Sequence, residues 1–142
     1  LKHAFAIAAL AAGCQKAKWD WATITVDGQP VRVEIAHTAE LREIGLMERD
    51  AIGPDEGMLF MYAGAQNRSF WMKKTRIPLD IAFADANGTI VRISQMEPFA
   101  TRSTPSLQPA KYALEMNEGW FAAHDVAVGD ALTDLPTVVA DP

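Results

Sequence analysis

The chain has 142 residues, 49% hydrophobic and 22% charged, the size and balance of one globular domain able to bury a core. A formal net charge of −5, with a single short basic run at Lys73-Lys74-Thr75-Arg76, argues against a nucleic-acid-binding surface. One cysteine excludes an internal disulfide and, with three scattered histidines, offers no zinc site, so neither metal nor cofactor is expected.

Residues 2–13 have a basic start, a short apolar stretch and small residues before Cys14, the pattern of a secretory signal. The apolar stretch is too short to span a bilayer, which takes about 20 residues. The small residues before Cys14 resemble the lipobox of bacterial lipoproteins, in which that cysteine is lipidated and becomes the mature N-terminus. The pattern usually has Leu three places before the cysteine; here Ala11 holds that place and Leu10 precedes it. An ordinary cleaved signal and a plain N-terminal helix are the alternative readings. The lipobox reading makes the protein exported, periplasmic or membrane-anchored through Cys14. It divides the chain into a signal-like segment (1–13), a tether (14–18), one mainly-β domain (19–136) and a frayed tail (137–142).

Thr23, Ile24, Thr25 and Val26 predict a first strand, and Asp27-Gly28 a tight turn. Val31, Val33 and Ile35 then alternate with Arg32 and Glu34 as a returning strand that completes a hairpin. Trp19 and Trp21 lead into it and fit packing against the domain better than resting at a membrane. Thr38 is placed to cap a helix over 38–47, with Leu41, Ile44 and Met47 as its apolar stripe. A loop over 53–57 leads to three expected strands, 58–62, 66–72 and 79–85. In the last, Leu79, Ile81 and Phe83 point one way and Asp80, Ala82 and Ala84 the other. Asn87-Gly88 turns the chain into a strand over 89–97, and the proline-containing stretch 98–109 is a long loop of the kind that serves as a lid or binding segment. A strand over 111–116, a helical turn over 120–124 and a turn at 128–132 feeding a last strand complete the chain. About eight short strands and one short helix predict an antiparallel β-barrel or sandwich.

Several motifs follow one another along this pattern: Gly45-Leu46-Met47, Gly57-Met58-Leu59-Phe60, Phe70-Trp71-Met72-Lys73-Lys74-Thr75 and Ile77-Pro78-Leu79-Asp80-Ile81-Ala82-Phe83. Lys111-Tyr112-Ala113-Leu114-Glu115, Gly119-Trp120 and Val128-Gly129-Asp130 come later. Together they resemble the domain-of-unknown-function 192 family of bacteria and archaea, over roughly 21–135. The resemblance implies a compact, mainly-β domain, often exported, and carries no activity with it.

Two carboxylates stand out. Asp80 sits beside Ala82 and Ala84, and Glu115 beside Ala113. On neighbouring strands they would share one groove, where repulsion between like charges raises one pKa toward a general-acid role. Lys73, Lys74 and Arg76 are placed to hold an anionic group or to pair with Asp80. The purely structural alternative is that Asp80 caps the turn at Ile77-Pro78 or forms a buried ion pair, which explains the pattern without catalysis. Phe60, Tyr62, Phe70, Trp71, Met72 and Trp120 could line a pocket, but their spacing favours core packing, except for Trp71, which shares a face with Ser69 and Lys73. His37 and His124 read as surface or capping residues. There is no G-x-S-x-G elbow, glycine-rich phosphate loop, H-E-x-x-H or paired C-x-x-C. The leading reading is a non-enzymatic envelope module that binds a small molecule, glycan or protein in a groove lined by Trp71, Lys73, Arg76, Asp80, Glu115 and Trp120. An acid/base hydrolase or lyase using Asp80 and Glu115, and a structural accessory of an envelope complex, are the alternatives.

Overall fold

The β-branched run and its alternating return form the hairpin expected of them. Strands β1 (Asp20–Val26) and β2 (Gln29–Ala36) pair antiparallel with Val26 opposite Gln29. Asp27 and Gly28 both take positive φ, 45° and 80°, the backbone that matches the twist of a two-residue hairpin. The structure, a computed structural model, describes residues 18–142, so Cys14 and the signal-like segment lie outside the described residues.

After the hairpin the chain crosses through helix α1 (Ala39–Ile44), where the Thr38 hydroxyl accepts from the Leu41 N–H at 3.1 Å as an N-cap. It re-enters the sheet as β3 (Glu56–Gln66), parallel to β2, as a connection of this length with a helix allows. Next come β4 (Ser69–Phe70), β5 (Leu79–Ala84), β6 (Ile90–Met96), β7 (Thr104–Pro105), β8 (Ala110–Asn117), helix α2 (Trp120–Ala123) and β9 (Leu132–Thr133). Seven strands form one curled sheet in the order β6-β5-β8-β3-β2-β1-β9, a half-barrel, while β4 and β7 make a separate two-stranded ribbon. The two ends of the sheet meet at one point. The Ala131 carbonyl accepts from Asp27 N–H at 3.0 Å, the Asp130 carbonyl accepts from Ile90 N–H at 2.8 Å, and Leu132 N–H donates to the Gly88 carbonyl at 2.8 Å.

The mainly-β class expected from sequence is the class observed, with one parallel pair among antiparallel ones. Two boundaries differ. β3 runs on to Gln66, and the strand expected over 66–72 shrinks to Ser69–Phe70, which pairs with β7 inside the long loop. The tail expected to fray is docked: Asp141 N–H donates to the His37 carbonyl at 2.9 Å, and the Arg42 guanidinium donates to the Asp141 and Pro142 carbonyls at 3.2 and 3.0 Å. Among the described residues no helix is long and apolar enough to cross a membrane.

Both faces of the sheet are buried at its central strands β3, β5 and β8. The concave face packs Ile24, Val33, Ile35, Leu59, Leu114 and Met116 against Trp120 and Phe121. The convex face carries Met58, Phe60, Leu79, Ile81 and Phe83, covered by Leu41 and Leu46 from the helix side and by Phe70, Met72 and Ile77 from the segment after β4. Gly57 lies between Val33 and Met116 in the centre of this sheet. A Cβ there would run into the Glu115 carbonyl oxygen and the Met116 sulfur. Gly57→Ala is therefore expected to lower stability by about 2 kcal/mol, the usual cost of overpacking, read as a lower urea midpoint at unchanged slope. An unchanged midpoint contradicts this packing.

Candidate functional site

The register of the central strands decides which candidate residues meet. β5 and β8 are neighbours, as a shared groove requires, but Ile81 stands opposite Glu115 and Asp80 opposite Met116. Side chains alternate along a strand, so the two carboxylates leave the sheet on opposite faces. Asp80 falls in the concave-side row of Val33, Gly57 and Met116; Glu115 falls in the convex-side row of Glu34, Met58 and Ile81. The Asp80–Glu115 acid/base pair expected from sequence is thus corrected: period-2 alternation orients each residue within its own strand but does not fix how two strands align.

Asp80 has a local role. Its Oδ2 accepts the Gly119 N–H at 2.9 Å, and the neighbouring Pro78 carbonyl accepts from Glu118 N–H at 3.1 Å. The carboxylate thereby fixes the turn that starts α2, rather than the Ile77-Pro78 turn or an ion pair. Trp120, the first residue of α2, is 5% exposed, packs in the concave core and donates its indole N–H to Asp55 at 3.1 Å. His124 stacks on Trp120 with ring centroids 4.1 Å apart. Arg76 is exposed and pairs with Asp50 at 2.8 Å. Asp80, Trp120 and Arg76 therefore do not join Trp71 and Glu115 in one groove.

Those two do come together. A cleft of about 100 Å³ opens on the convex face between α1 with its following turn and the segment after β4. Arg42, Gly45, Leu46 and Met47 line one side, Ser69, Phe70, Trp71 and Thr75 the other, with Phe60, Tyr62 and Glu115 from the sheet beneath. Phe70 meets Phe60 edge-to-face at 4.9 Å and closes the apolar wall. Trp71 stands at the rim, 54% exposed, with the Lys73 ammonium 5.2 Å above its ring. Tyr62 lies under two guanidiniums, Arg68 at 3.5 Å and Arg42 at 4.5 Å. Burial pushes its phenol up, and the two arginines pull it back.

Glu115 is 4% exposed, and among the described residues its carboxyl forms no hydrogen bond and no ion pair. Desolvation alone pushes its pKa from the ordinary 4.5 to about 8, so the group is a neutral carboxylic acid at pH 7. Glu34, in the same row and equally buried, shows the usual solution: it pairs with Arg49 at 2.5 Å. Among the described residues Glu115 has no such partner, and it lines the open cleft instead. A protonated carboxyl there offers one O–H donor and one carbonyl acceptor to whatever enters.

The family model described as "Uncharacterized ACR", DUF192, matches residues 22–133. The chain belongs to the DUF192 family. No curated protein matches it. A crystal structure from Sinorhizobium meliloti 1021, named a "putative transcription regulator", is similar at 32% identity and a TM-score of 0.79, over 82% of this chain and 95% of that one. A protein of unknown function from Novosphingobium aromaticivorans DSM 12444 is similar at 32% identity and a TM-score of 0.76, over 79% of this chain and 84% of that one. In this DUF192 domain, four motifs far apart in sequence converge on the cleft: Gly45-Leu46-Met47 and Phe70-Trp71 with Thr75 form its walls, and Phe60 and Glu115 its floor.

Phe70 is a core residue, as strand spacing suggests, and also closes the cleft, whereas Tyr62 is only partly buried and faces it; Arg42 carries no sequence signal that distinguishes it from a surface helix position. The burial of Glu115 has a measurable consequence. Because its folded pKa is raised, the native state holds a proton that the unfolded chain has lost between about pH 4.5 and 8. Stability is highest below that window and falls as pH rises through it, by about 1.4 kcal/mol per pH unit from this group. Glu115→Gln is expected to remove that slope between pH 5 and 7.5 in urea unfolding, after correction for other groups. Identical slopes in both proteins contradict a buried neutral Glu115.

Proposed function

We propose that this DUF192 domain is a non-enzymatic binding module of the cell envelope, tethered through Cys14, whose site is the cleft over Glu115. The observation that carries the reading is the carboxyl of a buried residue, without a partner among the described residues, lining an open cleft with aromatic rings in its walls. The cleft exposes more polar than apolar surface, so recognition there rests on a few converging hydrogen-bonding groups backed by aromatic rings. The volume of about 100 Å³ equals the share of roughly three water molecules, so the cleft takes the end of a ligand, not a whole large one. The acid at its floor is neutral at pH 7, which favours an uncharged group that both accepts and donates, such as a sugar hydroxyl or an amide. The exposed Trp71 ring offers a platform for the rest of the ligand, as a glycan would use.

The hydrolase or lyase reading has lost its geometric support, since it needs two carboxyls at one site. The name given to the Sinorhizobium relative would suggest a nucleic-acid role. A net charge of −5, with basic charge gathered only at the short run around Lys73 and Lys74, and helices of six and four residues among the described residues supply neither an extended basic surface nor a recognition helix for it.

A thermal-shift screen of monosaccharides, disaccharides and small amides tests the site, because a ligand that binds the native state raises its melting temperature. Glu115→Leu separates binding from structure. Replacing an unpaired buried carboxyl by an apolar side chain is expected to leave stability equal or about 1–2 kcal/mol higher while abolishing the ligand response. Trp71→Ala is expected to weaken that response by tenfold or more with little change in stability. A large loss of stability in Glu115→Leu, or a ligand response that survives it, contradicts the proposal. For the tether, mass spectrometry of protein from a bacterial host is expected to find diacylated Cys14 at the N-terminus; an unmodified Cys14 within the full-length chain contradicts it.

A further inference from the structure

Beside the cleft lies a second surface that the ligand site does not explain. A depression of about 360 Å³ is lined by Trp71, Lys73, Lys74, Phe99, Ala100 and Thr101. Trp71 is 54% and Phe99 61% exposed, on two loops bound to each other by the Phe99 N–H donating to the Thr75 carbonyl at 3.1 Å. Lys74 and Phe99 both hold positive φ, 51° and 57°, a conformation disfavoured for a residue with a side chain. A second strap, Glu48 N–H to the Lys74 carbonyl at 2.7 Å, holds the Lys74 loop in place. The loops are thus fixed in a shape that turns two aromatic rings and two lysines outward. Arg76 is paired with Asp50, whereas Lys73 and Lys74 form no ion pair among the described residues, and no carboxylate lines the depression. On a chain of net charge −5 this is a local positive, aromatic face.

We propose that this face docks on an anionic lipid bilayer. Two features favour that occupant. Indole and phenyl rings settle at headgroup depth while lysine stems lie along apolar surface and reach the phosphates, so the residue types and their signs match the interface. The depression carries two lysines and no carboxylate on a chain of net charge −5, a sign complementary to an anionic headgroup surface. Each lysine contributes weakly, so the face acts as a second, orienting contact and sets the mouth of the Glu115 cleft toward the membrane. This inference is independent of what the cleft binds.

The test is co-sedimentation of the full 142-residue chain, without lipidation, with vesicles of phosphatidylglycerol and phosphatidylcholine and with phosphatidylcholine alone. Partitioning through residues 1–17 is common to all variants, so differences between variants carry the result. Lys73→Glu with Lys74→Glu is expected to lower partitioning to the anionic vesicles by about 30-fold or more, the effect of losing two lysine contacts. Trp71→Ala with Phe99→Ala is expected to lower it comparably, and salt to weaken the wild type but not the lysine variant. Unchanged melting temperatures establish that the variants fold. As a measurement that needs only conservative change, brominated lipid is expected to quench tryptophan fluorescence of the wild type more strongly than that of Trp71→Phe, the quenching of Trp19 and Trp21 being common to both. Equal partitioning of wild type and both double variants overturns the proposal. So does equal binding of the wild type to neutral vesicles, or absence of vesicle binding together with a concentration-dependent dimer that Trp71→Ala with Phe99→Ala dissolves.

Discussion

Central strands buried on both of their faces are the constraint from which the rest of this fold follows. The concave side closes on itself as a half-barrel, so the convex side of β3, β5 and β8 must be covered by something else. The cover is assembled from pieces: α1 and the turn after it, the segment from Phe70 to Ile77, and the long loop that carries β7. Such a patchwork is continuous over Met58, Ile81 and Phe83 and parts over Glu115. An ionised carboxylate could not remain there unpaired, because transferring its charge from water costs far more than neutralising it. The acid stays protonated, and the opening in the cover becomes a cleft with a hydrogen-bonding floor.

The same register that buries Glu115 sends Asp80 to the other side of the sheet, where its carboxylate holds the turn into α2. A pair of acids that looks catalytic in one dimension becomes, in three, one turn-fixing group and one cleft-lining group. This separation removes the geometry that a two-carboxyl acid/base site would need. Trp71 lines both the cleft and the lysine-bearing face, so the two proposed roles would share one exposed side chain.

Much of this fold is legible in the sequence, and the reasons for success and failure are local. Asp27-Gly28 and Asn87-Gly88 mark hairpins because their conformations need residues that tolerate positive φ; Gly88 has φ of 81°. In β2 the alternation of Val31, Val33 and Ile35 identifies the concave face directly. The segment after β4 also reads correctly in part, with Phe70 and Met72 buried and Trp71 exposed. In β3 and β8 alternation conveys less, since Leu59 and Phe60, or Ala113 and Leu114, are buried on opposite faces. The parallel pairing of β2 with β3 and the alignment of β5 with β8 depend on contacts between residues distant in sequence. No local pattern encodes either, and the grouping of Glu115 with Arg42, Tyr62 and Thr75 is invisible for the same reason.

The central claim is the protonation state of one side chain. Following the ¹³C carboxyl resonance of Glu115 by NMR across a pH titration, with Glu115→Gln to assign it, measures that state in the native protein. The account predicts a midpoint near 8, with the neutral form dominant at pH 7. A midpoint in the ordinary range near 4.5 would mean that the carboxylate is hydrated or paired, and the cleft would lose the group on which its proposed role depends.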